Sequence, residues 1–129
     1  MNNKIKIAFD MDDVICKRPK KYEYLGEKKY EYCKPIKKNI KIINSLHEKN
    51  FFIIIYTSRG MTQFKSNLKL IKRKLNLITK NQLKKWEVKY DKLYMGKVHY
   101  DLLIDDKAIN SKSVNISKIL RFIKKTQVK

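Results

Sequence analysis

Two acidic pairs stand directly after apolar runs near opposite ends of this 129-residue chain. Asp10 and Asp12 follow Ile5–Phe9, whereas Asp105 and Asp106 follow Leu102–Ile104. Apolar, β-rich runs of this kind predict buried strands, and open α/β sheets bind ligands beside the carboxyl ends of their strands. We therefore expect the four carboxylates at one acidic site.

Carboxylates held close together repel one another unless a cation compensates their charge. Hard oxygen ligands suit Mg²⁺, which proteins commonly hold through one or two carboxylates together with a substrate phosphate. The grouping therefore predicts a Mg²⁺ cofactor and Mg²⁺-assisted phosphoryl chemistry.

The first half of the chain predicts a strand, a flap, a helix and a second strand. Residues 13–34 are rich in Lys and Tyr and are expected to form a flap or short hairpin. Pro35 is expected at the first helical position, and Ile36, Ile40, Ile43 and Leu46 then recur on one helical face. The continuous apolar run Phe51–Tyr56 is typical of a central parallel strand covered on both sides.

The second half continues the alternation. Helical spacing connects Met61, Phe64, Leu68, Ile71 and Leu75, and Thr79 to Gln82 resembles a capping box that opens a short helix. Strands are predicted at Leu93–Met95 and Tyr100–Ile104, before a closing helix with Ile116, Ile119, Leu120 and Ile123 on one side. This order predicts one α/β domain over residues 1–129, with a three-layer, Rossmann-like, mostly parallel sheet.

Parallel strands place their carboxyl ends at one edge, so polar residues from distant parts of the chain are expected to converge there. Thr57 ends the second long strand, with Ser58 as the competing choice. Lys97 follows the third strand, and Lys92 is its rival.

The composition limits the partners. The formal net charge is +20, but only four of the 32 basic residues are Arg, and Lys is the poorer choice for bidentate recognition of phosphates or bases. We therefore do not expect a dedicated nucleic-acid role, although anionic substrates should be attracted.

Cys16 and Cys33 lack metal-ligand spacing, and no apolar run is long enough to span a membrane. We expect reduced thiols and a cytoplasmic protein.

Four motifs in order resemble those of the haloacid dehalogenase superfamily of phosphohydrolases. They are Ile7–Val14 with its Asp-Met-Asp-Asp-Val sequence, Ile53–Thr57, Gly96-Lys97 and Leu103–Asp106. The resemblance covers nearly the whole chain and implies a haloacid-dehalogenase-like fold. The segment after the first motif and the segment before the lysine motif are both too short for a large cap domain, so only the flap would cover the site.

The resemblance implies a role for each matched residue. Asp10 would be the nucleophile that forms an aspartyl-phosphate, and Asp12 would act as general acid and base. Thr57 and Lys97 would stabilise the phosphoryl oxygens and their charge. Mg²⁺ would be held by Asp10, the Asp12 carbonyl and one of Asp105 and Asp106. Substrate-binding groups are expected at Met11, Ser58 and Arg59, the first two through backbone N–H groups.

A narrower resemblance concerns small uncapped phosphatases of capsule and surface-polysaccharide biosynthesis. It rests on the Asp-Met-Asp-Asp-Val start, Thr57–Gly60 and the Ile-Asp-Asp-Lys-Ala segment at 104–108. It implies a phosphorylated sugar, or a phosphoalcohol carried by a nucleotide-activated sugar, as substrate, and an open site favours a homo-oligomer. The alternatives are a nucleotidase or polynucleotide end phosphatase, a phospho-receiver domain and a basic nucleic-acid-binding module.

Overall fold

The computed structural model describes residues 3–127, so Met1, Asn2 and the last two residues of the predicted domain lie outside the described part. The strands are β1 (Lys6–Phe9), β2 (Cys16–Lys17), β3 (Lys34–Pro35), β4 (Phe52–Thr57) and β5 (Lys92–Met95). The α-helices are α1 (Lys37–Glu48), α2 (Leu68–Lys85) and α3 (Ile116–Gln127). Two 3-10 segments cover Lys20–Tyr32 and Ser111–Ser113. Within residues 3–127, no helix combines the length and the apolar character needed to cross a membrane.

The main sheet has the strand order β1-β4-β5, and both strand pairs are parallel. Phe9 pairs with Ile55, and Ile55 pairs in turn with Leu93, so the three strands end near one another. The α/β class, the parallel sheet and the central position of the Phe51–Tyr56 strand are confirmed. This register brings Asp10 and the residues after Thr57 and Met95 to one edge.

The sheet buries one of its faces far more than the other. Along β4, Ile53 and Ile55 are fully buried, whereas Tyr56 is 41% exposed. Ala8 in β1 and Tyr94 in β5 are exposed on the same side as Tyr56. The prediction of a strand covered on both sides is therefore wrong, and the expected third layer is not formed by residues 3–127. A continuous apolar run does not distinguish full from one-sided burial, because the covering elements decide it.

The buried face meets the helices in one apolar core. This core joins Phe9, Ile53 and Ile55 to Ile40, Ile43 and Leu46 of α1, Leu83 of α2 and Ile119 of α3. The predicted apolar face of α1 and the closing helix are confirmed. Pro35 does not begin α1, however, because it pairs with Cys16 in the small antiparallel β2–β3 sheet.

Helix α2 differs from the prediction at both ends. It begins at Leu68, where the Asn67 side chain accepts a hydrogen bond from the Leu70 backbone N–H at 3.1 Å. It then continues unbroken through Thr79, so the predicted second helix is wrong. The Thr79 hydroxyl donates to the Leu75 carbonyl at 2.8 Å, one turn back, which is how a threonine is accommodated inside a helix.

The predicted strand Tyr100–Ile104 is also wrong, because residues 98–108 contain no strand and are exposed. Ile104 is 89% exposed despite its β-branched side chain. Strand propensity reflects packing on a pleated surface, and β1 pairs only with β4 among the described strands. Without a paired neighbour, the apolar composition of this segment does not produce a strand.

The flap predicted at residues 13–34 consists of the β2–β3 pair and the 3-10 segment between them. Its Tyr22 and Tyr32 rings stack with centroids 4.1 Å apart. Tyr30 is buried, and its hydroxyl accepts a hydrogen bond from the Gly60 backbone N–H at 3.1 Å. The flap is therefore packed both on itself and on the turn that follows β4.

Candidate active site at the strand ends

Asp10, Thr57 and Lys97 meet at the carboxyl edge of the parallel sheet. Asp10 directly follows β1, Thr57 ends β4, and Lys97 lies two residues beyond β5. Lys97 Nζ is 3.2 Å from Asp10 Oδ2, and the Lys97 backbone N–H donates to the Thr57 carbonyl at 3.0 Å. The rival lysine, Lys92, lies within β5 and is exposed. The structure thus brings together three of the four residues predicted to be catalytic.

The Asp10 carboxylate is contacted at both oxygens and remains accessible from outside. Its Oδ1 accepts a hydrogen bond from the Met11 backbone N–H at 2.8 Å, and the side chain is 34% exposed. Met11 itself is fully buried, so its backbone contacts Asp10 while its side chain packs in the core. The Lys97 ammonium offsets the charge of this accessible carboxylate, which reduces the repulsion that an anionic ligand would meet here.

Lys97 remains positively charged at this edge. Burial disfavours its ammonium form, but the Asp10 carboxylate and hydrogen bonding with Tyr100 and Asp10 outweigh burial and raise the pKa of Lys97. The Tyr100 and Tyr56 rings lie 5.2 and 5.9 Å from Nζ. Aromatic rings at this distance stabilise an ammonium group further.

Asp12 is more buried than Asp10 and is bound by Arg59. Arg59 Nε and Nη2 donate to the Asp12 carboxylate, with the Nε–Oδ2 and Nη2–Oδ1 distances both 3.0 Å. The Asp12 side chain is 15% exposed, whereas that of Arg59 is fully buried. This two-point contact fixes the orientation of the second predicted catalytic carboxylate.

Arg59 was predicted to bind substrate, but its donors face the interior. Its Nη1 donates to Thr79 Oγ1 at 3.0 Å and to Gln82 Oε1 at 2.7 Å on α2. The Tyr30 ring lies 4.8 Å from the guanidinium carbon. Burial disfavours the charged form, but the Asp12 carboxylate overcomes this cost and raises the pKa of Arg59. The position of Arg59 is that of a buried positioning residue for Asp12.

Ser58 lies in the turn after β4, between Thr57 and Arg59. Its carbonyl accepts a hydrogen bond from the Met61 backbone N–H at 3.0 Å, and its side chain is half-buried. The Thr57 hydroxyl accepts from the Arg59 backbone N–H at 3.1 Å. Of this segment, Thr57 contacts the Asp10–Lys97 pair, because its carbonyl accepts from the Lys97 backbone N–H.

Asp105 and Asp106 lie apart from this arrangement. Both are exposed, and Asp105 Oδ1 accepts a hydrogen bond from the Lys107 backbone N–H at 2.9 Å within its own turn. Within residues 3–127, neither belongs to a group of three side chains able to share a metal ion. The carboxylate chemistry suits Mg²⁺, but the positions do not fit the Mg²⁺ site expected from Asp10, Asp12, Asp105 and Asp106.

A cluster of Asp12, Cys16 and Cys33 was missed in the sequence. Their ligand atoms all lie within 4.8 Å of one another. The Cys16 and Cys33 sulfurs donate to Asp12 Oδ1 at 3.5 and 3.6 Å. Hydrogen bonding with Cys33, followed by burial, raises the pKa of Cys16, whereas hydrogen bonding with Cys16 lowers the pKa of Cys33. The two positions are 17 apart, and only their placement on either side of the flap indicates that they meet.

The comparisons with known proteins concern the fold. No family model and no curated protein matches the chain. A crystal structure of a structural-genomics target from Vibrio cholerae is similar, with a TM-score of 0.76 and 25% sequence identity. The match covers 95% of this chain and 98% of that chain, and the description of that target names no function. The α/β architecture therefore has a solved counterpart over nearly its full length.

Proposed function

We propose that this protein is a phosphomonoester hydrolase in which Asp10 attacks phosphorus and forms an aspartyl-phosphate. The observation that carries the proposal is the 3.2 Å contact between Lys97 Nζ and Asp10 Oδ2 at the shared edge of three parallel strands. A carboxylate nucleophile needs a nearby cation that offsets its charge and that of the incoming phosphate. The accessible Asp10 oxygens and the ammonium of Lys97 provide this pairing.

The proposed roles of the neighbouring residues follow from the assignment of Asp10 as nucleophile. Thr57 ends β4 at the same edge of the sheet as Asp10, and its hydroxyl is proposed to contact a non-bridging phosphoryl oxygen. Asp12 protonates the leaving oxygen and then accepts a proton from the water that splits the intermediate. Arg59 holds the Asp12 carboxylate at two points, both 3.0 Å long, and its positive charge favours the ionised form that accepts a proton.

The proposal includes Mg²⁺, which would be held by Asp10, the Asp12 backbone carbonyl and one of Asp105 and Asp106. When bound, a divalent cation would offset the negative charge of the phosphoryl group and of these carboxylates. The exposed position of Asp105 and Asp106 means that residues 98–108 must approach β1 for this set to form. The proposal therefore includes a movement of residues 98–108 toward β1.

The proposed substrate is a phosphorylated sugar, or a phosphoalcohol on a nucleotide-activated sugar, in surface-polysaccharide synthesis. The support is the motif resemblance together with the absence of room for a large cap domain in the sequence. A cytoplasmic location and a homo-oligomer are part of the same proposal, and two free thiols agree with a reducing compartment. A nucleotidase or a polynucleotide end phosphatase is the alternative.

The first experiment compares the wild type with Asp10→Asn using p-nitrophenyl phosphate and Mg²⁺. Asn keeps the size of the side chain but is a far weaker nucleophile, so we expect turnover to fall at least about 1,000-fold while the circular dichroism spectrum is unchanged. Asp13→Asn is the matched control, since Asp13 is exposed and Asn tolerates its positive φ of 68°. Retained turnover in Asp10→Asn would reject the nucleophile assignment.

Phosphate release from sugar phosphates, phosphoalcohols, nucleotides and 3′-phosphorylated oligonucleotides then separates the substrate classes. We expect the highest kcat/KM with a sugar phosphate or phosphoalcohol. A preference for nucleotides or oligonucleotides would select the alternative, and no release from any phosphoester would reject the hydrolase.

A further inference from the structure

Cys16 and Cys33 face each other beneath the candidate site. Cys16 lies in β2, and Cys33 directly precedes β3. The antiparallel pairs Cys16–Pro35 and Lys17–Lys34 hold the two chain segments side by side. Both residues are free thiols, with Cys16 fully buried and Cys33 8% exposed. Their proximity is therefore fixed by backbone pairing as well as by the side chains.

The surroundings of the two sulfurs disfavour a metal ion. Arg59 Nη2 lies 3.5 Å from Cys16 Sγ and 3.6 Å from Cys33 Sγ. A cation bound between the sulfurs would meet the positive charge of this fully buried guanidinium. The third available ligand, Asp12, already accepts hydrogen bonds from Arg59 at both carboxylate oxygens. These contacts favour covalent chemistry between the thiols over metal binding.

We propose that Cys16 and Cys33 form an intramolecular disulfide when the protein meets a small peroxide, so that this pair is an oxidation site beside Asp12. The two sulfurs lie within 4.8 Å, and a disulfide requires about 2.05 Å. Rotation of the two side chains toward each other has to close this gap. The proposal does not depend on the phosphatase assignment.

The oxidation proceeds in two balanced steps with hydrogen peroxide as the oxidant. Cys33, the more exposed thiol, loses its proton and attacks one peroxide oxygen, which breaks the O–O bond and yields a sulfenic acid and hydroxide. The Cys16 sulfur then attacks the Cys33 sulfur, its proton joins the departing hydroxyl group, and water leaves. With the released proton and hydroxide combined, two thiols and one peroxide give one disulfide and two water molecules.

The disulfide changes the surroundings of Asp12. In the reduced protein, Asp12 Oδ1 accepts hydrogen bonds from the two sulfurs at 3.5 and 3.6 Å. A disulfide has no S–H group to donate. Oxidation therefore leaves Arg59 as the main hydrogen-bond donor to this carboxylate. It also ties β2 covalently to the residue before β3, which closes the flap into a loop.

The test exposes the folded, reduced wild type to hydrogen peroxide and removes the excess with catalase. Free thiols counted under denaturing conditions are expected to fall from two per chain to none. Mass spectrometry of the intact chain is expected to show the loss of two hydrogens. A tryptic digest should link the peptide containing Cys16 to that containing Cys33, and dithiothreitol should restore both thiols.

Cys16→Ser and Cys33→Ser are the matched controls, because each leaves one thiol that has no partner within the chain. Neither should lose two hydrogens as a monomer. The wild-type measurement is sufficient even if a variant does not fold. Retention of both thiols in folded wild type, a disulfide between chains, or a stable zinc complex that protects both thiols would each overturn the proposal.

Discussion

At the scale of single residues, Arg59 connects the strand-end site to the helices. Its fully buried guanidinium contacts Asp12 on one side and Thr79 and Gln82 of α2 on the other. A buried arginine is tolerated only when each of its donors has an acceptor. The side chain that was predicted to reach a substrate is instead a connection between two parts of the fold.

Arg59→Leu is expected to reduce the free energy of unfolding by about 3 kcal/mol, because it leaves the Asp12 carboxylate without its closest cationic partner. The measurement is urea unfolding followed by circular dichroism. Arg73→Leu, at an exposed position of α2, is the matched control and should change stability by less than about 0.5 kcal/mol. Equal effects of the two substitutions would contradict the structural role of Arg59.

We predict that the Lys97–Asp10 contact stabilises the fold at neutral pH and loses this effect at high pH. The pKa of Lys97 is raised in the folded protein, so the stability that it contributes is complete below the unfolded pKa of about 10.4 and is lost as the pH rises through the folded pKa. Because Lys97 and Asp10 are partly exposed, we expect this contribution to be at most about 1 kcal/mol.

The measurement compares the unfolding free energies of the wild type and Lys97→Met near about pH 8 and above about pH 11, on either side of the ordinary lysine pKa. The gap between the two proteins should shrink at the higher pH. Lys92→Met removes an exposed lysine from β5 and corrects for the general loss of a charge. A gap that stays constant with pH would show that the Lys97–Asp10 contact does not stabilise the fold.

At the scale of elements, the parallel strands determine which residues meet. Residues adjacent in register, such as Phe9, Ile55 and Leu93, carry their following segments to the same edge. That is why Asp10 and Lys97 touch although 87 positions separate them. The segment 98–108 is the exception, since it has apolar residues typical of a strand but lies exposed without one.

The exposed segment yields a prediction from hydrogen exchange. Backbone amides of residues 98–108 should exchange rapidly in the free protein, because solvent-exposed backbone outside secondary structure has little protection. Under the proposed function, Mg²⁺ together with inorganic phosphate should slow this exchange by drawing Asp105 and Asp106 toward Asp10. Amides of β4 provide the internal control and should exchange slowly in both conditions. Unchanged exchange at 98–108 with both ions present would reject closure of this segment.

At the scale of the whole molecule, the chain carries a formal net charge of +20. A positive field attracts anionic ligands, and salt weakens this attraction as the screening length falls. Under the proposed function, the net charge therefore affects how an anionic substrate approaches, independently of the residues at the site.

The KM for p-nitrophenyl phosphate is expected to rise several-fold between about 0.01 and about 0.15 M ionic strength, where the screening length falls from about 30 to about 8 Å. The kcat, measured at saturating substrate, serves as the internal control and should change little. A KM that is independent of salt would show that the net charge does not steer the substrate.

The sequence alone determined the α/β class, the central strand, the apolar face of α1 and the convergence of Asp10, Thr57 and Lys97. These features follow from local periodicity and from the geometry of parallel strands, which need no knowledge of distant contacts. The sequence therefore predicted that Asp10 and Lys97 meet at the carboxyl edge of the sheet.

Tertiary structure decided the burial of Arg59, the Cys16–Cys33 contact, the unbroken α2 and the exposed segment at 98–108. Each depends on a partner far along the chain: Arg59 on Asp12 and α2, the thiols on the β2–β3 pairing, and a strand on a neighbour with which to pair. Local propensity is a weak guide in such cases, because the free energy comes from contacts that form only in the folded chain.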